Sequence, residues 1–321
     1  MYDRILSGIM GLCIGDAVGV PVEFKNRKLL KNDPVTDMRS YGTHSQPKGT
    51  WSDDTTMTLC LADSIGDIGT IDLKDIMDRF VLWVEKGEYT AYDEVFDIGV
   101  ATRNAIFRYL DGSSPINCGG KNEYDNGNGS LMRILPLAFY IYKKYGNDFF
   151  KNEWAVKEIH NVSSLTHNHP RSKISCGIYI SVAVSLISNK SIDNIQNAIN
   201  NAFEWYENNG HFSDELVHFK RLHDLESFKN LSEDNISSSG YTVHTLEASL
   251  WCLMNSNSYE EAVLKAVNLG EDTDTTGAVT GGLAGILYGY DTFPKDWVES
   301  IPKSQWIKNI CVKFNNSIMY V

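Results

Sequence analysis

Apolar residues recur along this chain at intervals of three and four, the spacing that gathers side chains on one face of an α-helix. The clearest stripe is Leu73, Ile76, Met77, Phe80, Val81 and Val84, with Asp72 placed to cap its start and Gly87 to end it. Similar stripes predict helices over 2–14, 55–66, 97–110, 131–144, 171–188, 192–207, 243–254, 259–267 and 275–289. No segment alternates apolar and polar positions convincingly, so strands are not expected. The pattern predicts an all-α bundle of ten or more helices. The stretches 25–50, 111–129 and 209–242 are polar and read as connections; none is a linker that divides the chain, so one domain over 1–321 is expected.

Two of these stripes carry glycines in register. Gly277, Gly281, Gly285 and Gly289 recur every fourth residue, as do Gly11, Gly15 and Gly19, with Gly8 three residues earlier. A glycine inside a helix costs roughly 1 kcal/mol relative to alanine. A row of them needs a compensating reason, and close approach of two helices supplies one. The expectation is that the two rows pack together beneath the acidic segments described next. Glycine-punctuated loops are the other reading, above all for Gly15 and Gly19.

Both acidic segments stand at the start of a predicted helix. Ser52-Asp53-Asp54-Thr55-Thr56 precedes one, and Glu271-Asp272-Thr273-Asp274-Thr275-Thr276 precedes another more than 200 residues later. Asp272 and Asp274, two apart in a turn, can point at one centre. Capping explains one acid per helix comfortably and two less well. Together the segments offer four Asp, Glu271 and several hydroxyls, whose mutual repulsion a divalent cation would neutralise. An all-oxygen set selects a hard ion such as Mg²⁺, Mn²⁺ or Ca²⁺ over zinc. From the residues alone, a metal site and two separately capped helices both stand.

Three weaker segments accompany them. Glu23, between Pro21 and Phe24, has an apolar setting that would raise its pKa and suit it to proton transfer. The Gly-rich turn Asn126–Ser130 leads into a helix and could present amides to a phosphate, or be an ordinary loop. Thr166-His167-Asn168-His169-Pro170 also precedes a helix, its histidines either ligands or structural residues.

Composition narrows the class. At 42% hydrophobic and 22% charged, the 321 residues can bury a core and are not those of a disordered chain. The net charge of −12 disfavours a surface that tracks nucleic acid, without excluding one anionic ligand in a pocket. No apolar run is read as reaching the roughly 20 residues that span a bilayer. Met1–Arg4 lacks the basic start of a secretory signal, so a cytoplasmic protein with no membrane partner is expected. The six cysteines lie far apart with no CxxC pair and read as buried free thiols.

Taken in order, GDAVGVPVEF (15–24), GTWSDDTTMTLCLADS (49–64), FDIG (96–99), GNGSLMR (127–133), THNHP (166–170) and GEDTDTTGAVTGGLAG (270–285) resemble the ADP-ribosylglycohydrolase family. The resemblance spans nearly the whole chain. It implies an all-α fold with two Mg²⁺ or Mn²⁺ ions in a central cleft, held by Ser52, Asp53, Asp54, Asp272, Asp274 and Thr275. Ser52 stands where many relatives have Thr. It further implies that Glu23 and Asp54 serve in proton transfer. Gly127, Asn128, Gly129, Ser130 and His167 match segments that contact ADP-ribose. The implied activity is hydrolysis of the glycosidic bond between ADP-ribose and a modified protein side chain, with ADP-ribose as product. FDIG resembles the arginine-directed branch, where Asp97 would pair with the leaving guanidinium; a helix N-cap is its other reading. ADP-ribosylserine, O-acetyl-ADP-ribose and ADP-ribosylated nucleobases remain as other substrates. A structural member, a non-catalytic ADP-ribose-binding module and a toxin-immunity factor remain as other roles.

Overall fold

The computed structural model describes residues 1–320, which form sixteen α-helices joined by turns and short 3-10 segments, with no strand among them. The first third contains α1 (Tyr2–Gly19), α2 (Arg27–Asn32), α3 (Asp53–Ile68), α4 (Leu73–Lys86) and α5 (Val100–Leu110). The middle contains α6 (Leu135–Tyr145), α7 (Glu153–Ser164), α8 (Pro170–Asn189) and α9 (Ile195–Glu207). Two short helices, α10 (Gly210–Ser213) and α11 (Leu225–Lys229), precede α12 (Thr242–Met254) and α13 (Tyr259–Asn268). The chain ends with α14 (Thr273–Tyr288), α15 (Lys295–Ser300) and α16 (Ser304–Ile318).

The centre of the molecule is the pair α1 and α14, and glycine is what lets them touch. A Cβ added at Gly15 would overlap the Gly277 carbonyl, one at Gly281 the Gly11 carbonyl, and one at Gly285 the Ser7 carbonyl. One at Gly19 would strike the backbone of Asp274. The two glycine rows therefore face each other, and the pair is buried from Ile5 to Gly19 and from Thr273 to Ile286. Packing at backbone distance returns the helix-propensity cost through dispersion contacts no larger residue would allow. Gly15 and Gly19 belong to the helix and not to a loop. Gly8 packs instead against Phe139 and Ile286, and Gly289, at φ 92°, ends α14.

Other expectations need correction. Tyr2–Val22 is, by length and composition, apolar enough to cross a bilayer, contrary to the reading above; here it is enclosed by protein. The stripe over 131–144 starts late, at Leu135, because Pro136 lacks an amide and fits only a first turn. The stripe over 97–110 begins at Val100 with Gly99 as N-cap, so Asp97 lies outside the helix and does not cap it. The connections 25–50 and 209–242 contain the short helices α2, α10 and α11. Helices α7, α15 and α16 fall outside the predicted stripes. Asp72 and Gly87 do bound α4, Asp72 accepting from the amides of Lys74 and Asp75. All six cysteines are buried and unpaired.

Candidate metal centre and active site

The close contact of α1 with α14 decides where the acids lie. Gly19 at the end of α1 abuts Asp274 at the start of α14, so the N-terminus of α14 is pressed against the loop that follows α1. That loop carries Glu23. It is tied down by two short backbone bonds: the Phe24 amide donates to the Glu271 carbonyl at 2.7 Å, and the Glu271 amide to the Lys25 carbonyl at 2.7 Å. Glu271 is exposed and contributes this main-chain link; its carboxylate is not part of the acidic centre.

The start of α3 is fixed to α1 by a residue that sequence reading passed over. Asp16 is buried, and its carboxylate accepts from the Ser52 amide (2.9 Å), the Thr55 amide (3.0 Å) and the Thr55 hydroxyl (2.6 Å). Burial raises its pKa to about 6 against the pull of these donors. The available signal was an Asp inside an otherwise apolar, glycine-rich helix, a position no acid occupies without partners.

Three carboxylates, Asp16, Asp54 and Asp274, bring oxygens within 4.8 Å of one another, and so do Glu23, Asp272 and Asp274. Asp274 belongs to both sets. The two segments thus meet, with Asp272 at the N-cap of α14 and Asp274 in its first turn, where a loop turn was expected. Asp54 Oδ2 accepts from the hydroxyls of Ser52 (2.9 Å) and Thr275 (3.3 Å). Its Oδ1 is buried with no hydrogen-bond partner. Ser52 also caps α3, its hydroxyl accepting from the Asp54 amide at 3.3 Å, as the capping reading expects. Asp53 is 6% exposed, and the Asp97 carboxylate is among the neighbours that raise its pKa.

Crowding and burial act in one direction on these acids. The pKa values of Asp53, Asp54 and Asp274 are driven well up by burial and then by neighbouring carboxylates. Asp272 and Asp97 also rise through burial. An unpartnered carboxylate oxygen in such a place is costly, and a cation is the natural remedy. Every donor present is oxygen, so the residues fit hard divalent ions.

Glu23 lies at the edge of this centre, 5% exposed. Burial pushes its pKa to about 7, with Asp97 and Asp272 adding to the rise and His44 opposing it. His44, another residue absent from the sequence reading, places Nε2 against Glu23 Oε2, and Thr43 donates its hydroxyl to the Glu23 carbonyl at 2.8 Å.

On the other side, Asn128 donates Nδ2 to Asp272 Oδ2 at 2.7 Å and to the Thr245 hydroxyl at 2.9 Å. The Gly-rich turn therefore does reach the centre, through a side chain. Its Asn128 amide is engaged by the Gly240 carbonyl, whereas the amides of Gly129 and Ser130 have no acceptor among the described residues. The Ser130 hydroxyl is fully buried and accepts from Ser163 at 3.0 Å. His167 backs the turn, its ring against Gly127 and Gly129 and its Nδ1 bonded to the Thr166 hydroxyl at 2.8 Å. Burial lowers its pKa to about 3, so it is neutral. His169 caps α8 and lies beside Glu123 and Glu215, which Arg171 neutralises. Neither histidine joins the Asp centre.

Comparison with known proteins agrees with this arrangement. The sequence matches the family described as ADP-ribosylglycohydrolase over residues 1–319. It is 33% identical to a protein of Serratia proteamaculans named ADP-ribosylarginine hydrolase Tri1, over 96% of this chain and 78% of that one. A protein of the same name from Pseudomonas putida is 35% identical over 96% of this chain and 76% of its own length. A solved structure described as an ADP-ribosylglycohydrolase-related protein complex superposes with a TM-score of 0.77 at 29% identity, covering 99% of both chains. With an acidic centre built from both ends of the sequence and a match over nearly its full length, the chain belongs to the ADP-ribosylglycohydrolase family.

Proposed function

We propose that this protein is a metal-dependent hydrolase that releases ADP-ribose from modified arginine side chains of proteins, working as a single domain with two Mg²⁺ or Mn²⁺ ions. The observation that carries the metal requirement is Asp54 Oδ1, buried and unpartnered in one of the two oxygen sets that share Asp274. The names of the Tri1 relatives support the arginine linkage. Ser52, Asp53, Asp54, Asp272, Asp274 and Thr275 would hold the ions. Bound there, they supply Lewis acidity toward the ribose hydroxyls and the attacking water.

The reaction breaks the bond between the anomeric carbon and a guanidinium nitrogen, through an oxocarbenium-like state. The oxygen of water becomes bonded to that carbon, and one of its protons ends on the departing nitrogen. Glu23, with its pKa near 7, is suited to take that proton and pass it on at neutral pH. With a cation bound to offset its raised pKa, Asp54 would be ionised and would orient the Ser52 and Thr275 hydroxyls that donate to it. Asp97 would pair with the guanidinium as it leaves. The turn Gly127–Ser130, braced by His167, offers the free amides of Gly129 and Ser130 to the ADP-ribose phosphates.

The test is to follow free ADP-ribose from an ADP-ribosylated arginine substrate, with Mg²⁺ and with EDTA. Release in Mg²⁺ alone is expected. A folded, Mg²⁺-saturated protein that releases none would overturn the arginine assignment.

A further inference from the structure

Phe24 is a bulky side chain with φ at +65°, a left-handed conformation that L-residues other than Gly, Asn and Asp seldom adopt. Such strain is ordinarily repaid by burial, yet Phe24 is 69% exposed. The cost is sustained from outside, because the bonds to Glu271 and Lys25 hold the backbone on either side of it. A strained residue left mostly exposed points to a role for the ring itself.

The position of the ring indicates which role. Phe24 follows Glu23 and packs against His44, ring centroids 5.9 Å apart; Phe96 packs against the same His44 at 5.2 Å. Phe96 is half-buried and directly precedes Asp97. Two aromatic rings thus stand beside two carboxylates, Glu23 and Asp97, at the edge of the Asp centre. Aromatic faces next to acids favour a flat, weakly hydrated cation, and guanidinium stacks where an ammonium or a hydroxyl does not.

We propose that Phe24 and Phe96 are the specificity-determining wall on the acceptor side of the site, stacking the guanidinium of the arginine that leaves. This rests on the arginine linkage proposed above. It assigns the two rings to the leaving group and not to ADP-ribose, which distinguishes them from the Gly127–Ser130 turn.

The experiment measures binding of agmatine, a guanidinium probe, to the Mg²⁺-loaded protein by calorimetry, in wild type and in Phe24→Leu, Phe96→Leu and the double variant. Leucine keeps bulk and removes the π face. Phe24→Gly serves as a folding control, since glycine accepts φ +65° without strain and should melt no lower than wild type. Agmatine affinity is expected to fall about 3- to 10-fold per ring, while the inhibition constant of ADP-ribose stays within about two-fold. Unchanged agmatine affinity in folded variants, or an equal loss of ADP-ribose affinity, would overturn the wall. A wild type that cleaves the arginine linkage while the variants bind agmatine normally refutes the wall and spares the proposed activity. A wild type that binds agmatine through the rings without cleaving does the reverse. One that neither cleaves nor binds refutes both.

Discussion

Replacing Asp54 by Asn should stabilise the metal-free protein and destabilise it relative to wild type once Mg²⁺ is present. Asn keeps an oxygen for the Ser52 and Thr275 hydroxyls and removes one charge from a group whose carboxylates approach within 4.8 Å. At an effective dielectric of about 20, each such pair repels by about 3 kcal/mol. Partial protonation of the cluster relieves much of this, so a gain of about 1–3 kcal/mol is expected without metal. For a chain of this size that is a rise in Tm of about 1.5–4.5 °C. Wild type in Mg²⁺ at 100 times its Kd gains about 2.7 kcal/mol, which the variant should lack. The sign with pH follows from the raised carboxyls. Their penalty is fully present above the folded pKa values, about 6 for Asp16 and about 7 for Glu23, and is relieved as pH falls toward 4. The Mg²⁺-induced rise should therefore be larger at pH 8 than at pH 5. Differential scanning fluorimetry in EDTA and in Mg²⁺ reads all of this. If Asp54 were only a helix-start acid, its loss would cost about 0.3–1 kcal/mol in both conditions. An Asp54→Asn protein less stable than wild type in EDTA, or equally stabilised by Mg²⁺, would refute the metal reading of the cluster.

Further outcomes follow from the geometry. Gly15→Ala should destabilise by about 3 kcal/mol or more, because the new methyl meets the Gly277 carbonyl; chemical denaturation checks it, and a cost below 1 kcal/mol would mean the helices can part freely. Glu23→Gln should lower kcat by about 10²- to 10⁴-fold in ADP-ribose release while the protein keeps a Mg²⁺-induced Tm shift. His167, neutral at about pKa 3 when folded and about 6.5 unfolded, binds its proton only in the unfolded chain between those values. Its contribution to stability is therefore lost as pH falls below 6.5. Relative to His167→Gln, wild type should lose about 2 kcal/mol between pH 7.5 and pH 5, read from paired urea titrations at each pH.

The sequence by itself determined most of the long helices and the acids of the two Asp segments. A stripe such as Leu73–Val84 can bury its apolar face only as a helix, and caps such as Asp72 and Ser52 act within one turn, so local order makes them legible. The glycine rows announced a close helix contact because nothing else offsets their propensity cost. Helix starts at Leu135 and Val100 were misplaced where Pro136 and a preceding loop set the boundary. What only the tertiary structure decided is which acids share a centre. Asp16 looked like one polar residue in an apolar helix until the fold set it against the Ser52 and Thr55 amides. His44 and Thr43 reach Glu23 from a polar loop with no distinguishing pattern. His167 looked equally fit for a ligand or a brace, and burial beneath the Gly127–Gly129 turn placed it behind that turn. The reason is range: periodicity and capping act over a few residues, whereas electrostatic crowding and desolvation depend on neighbours more than 200 positions away that meet only when α1 and α14 pack.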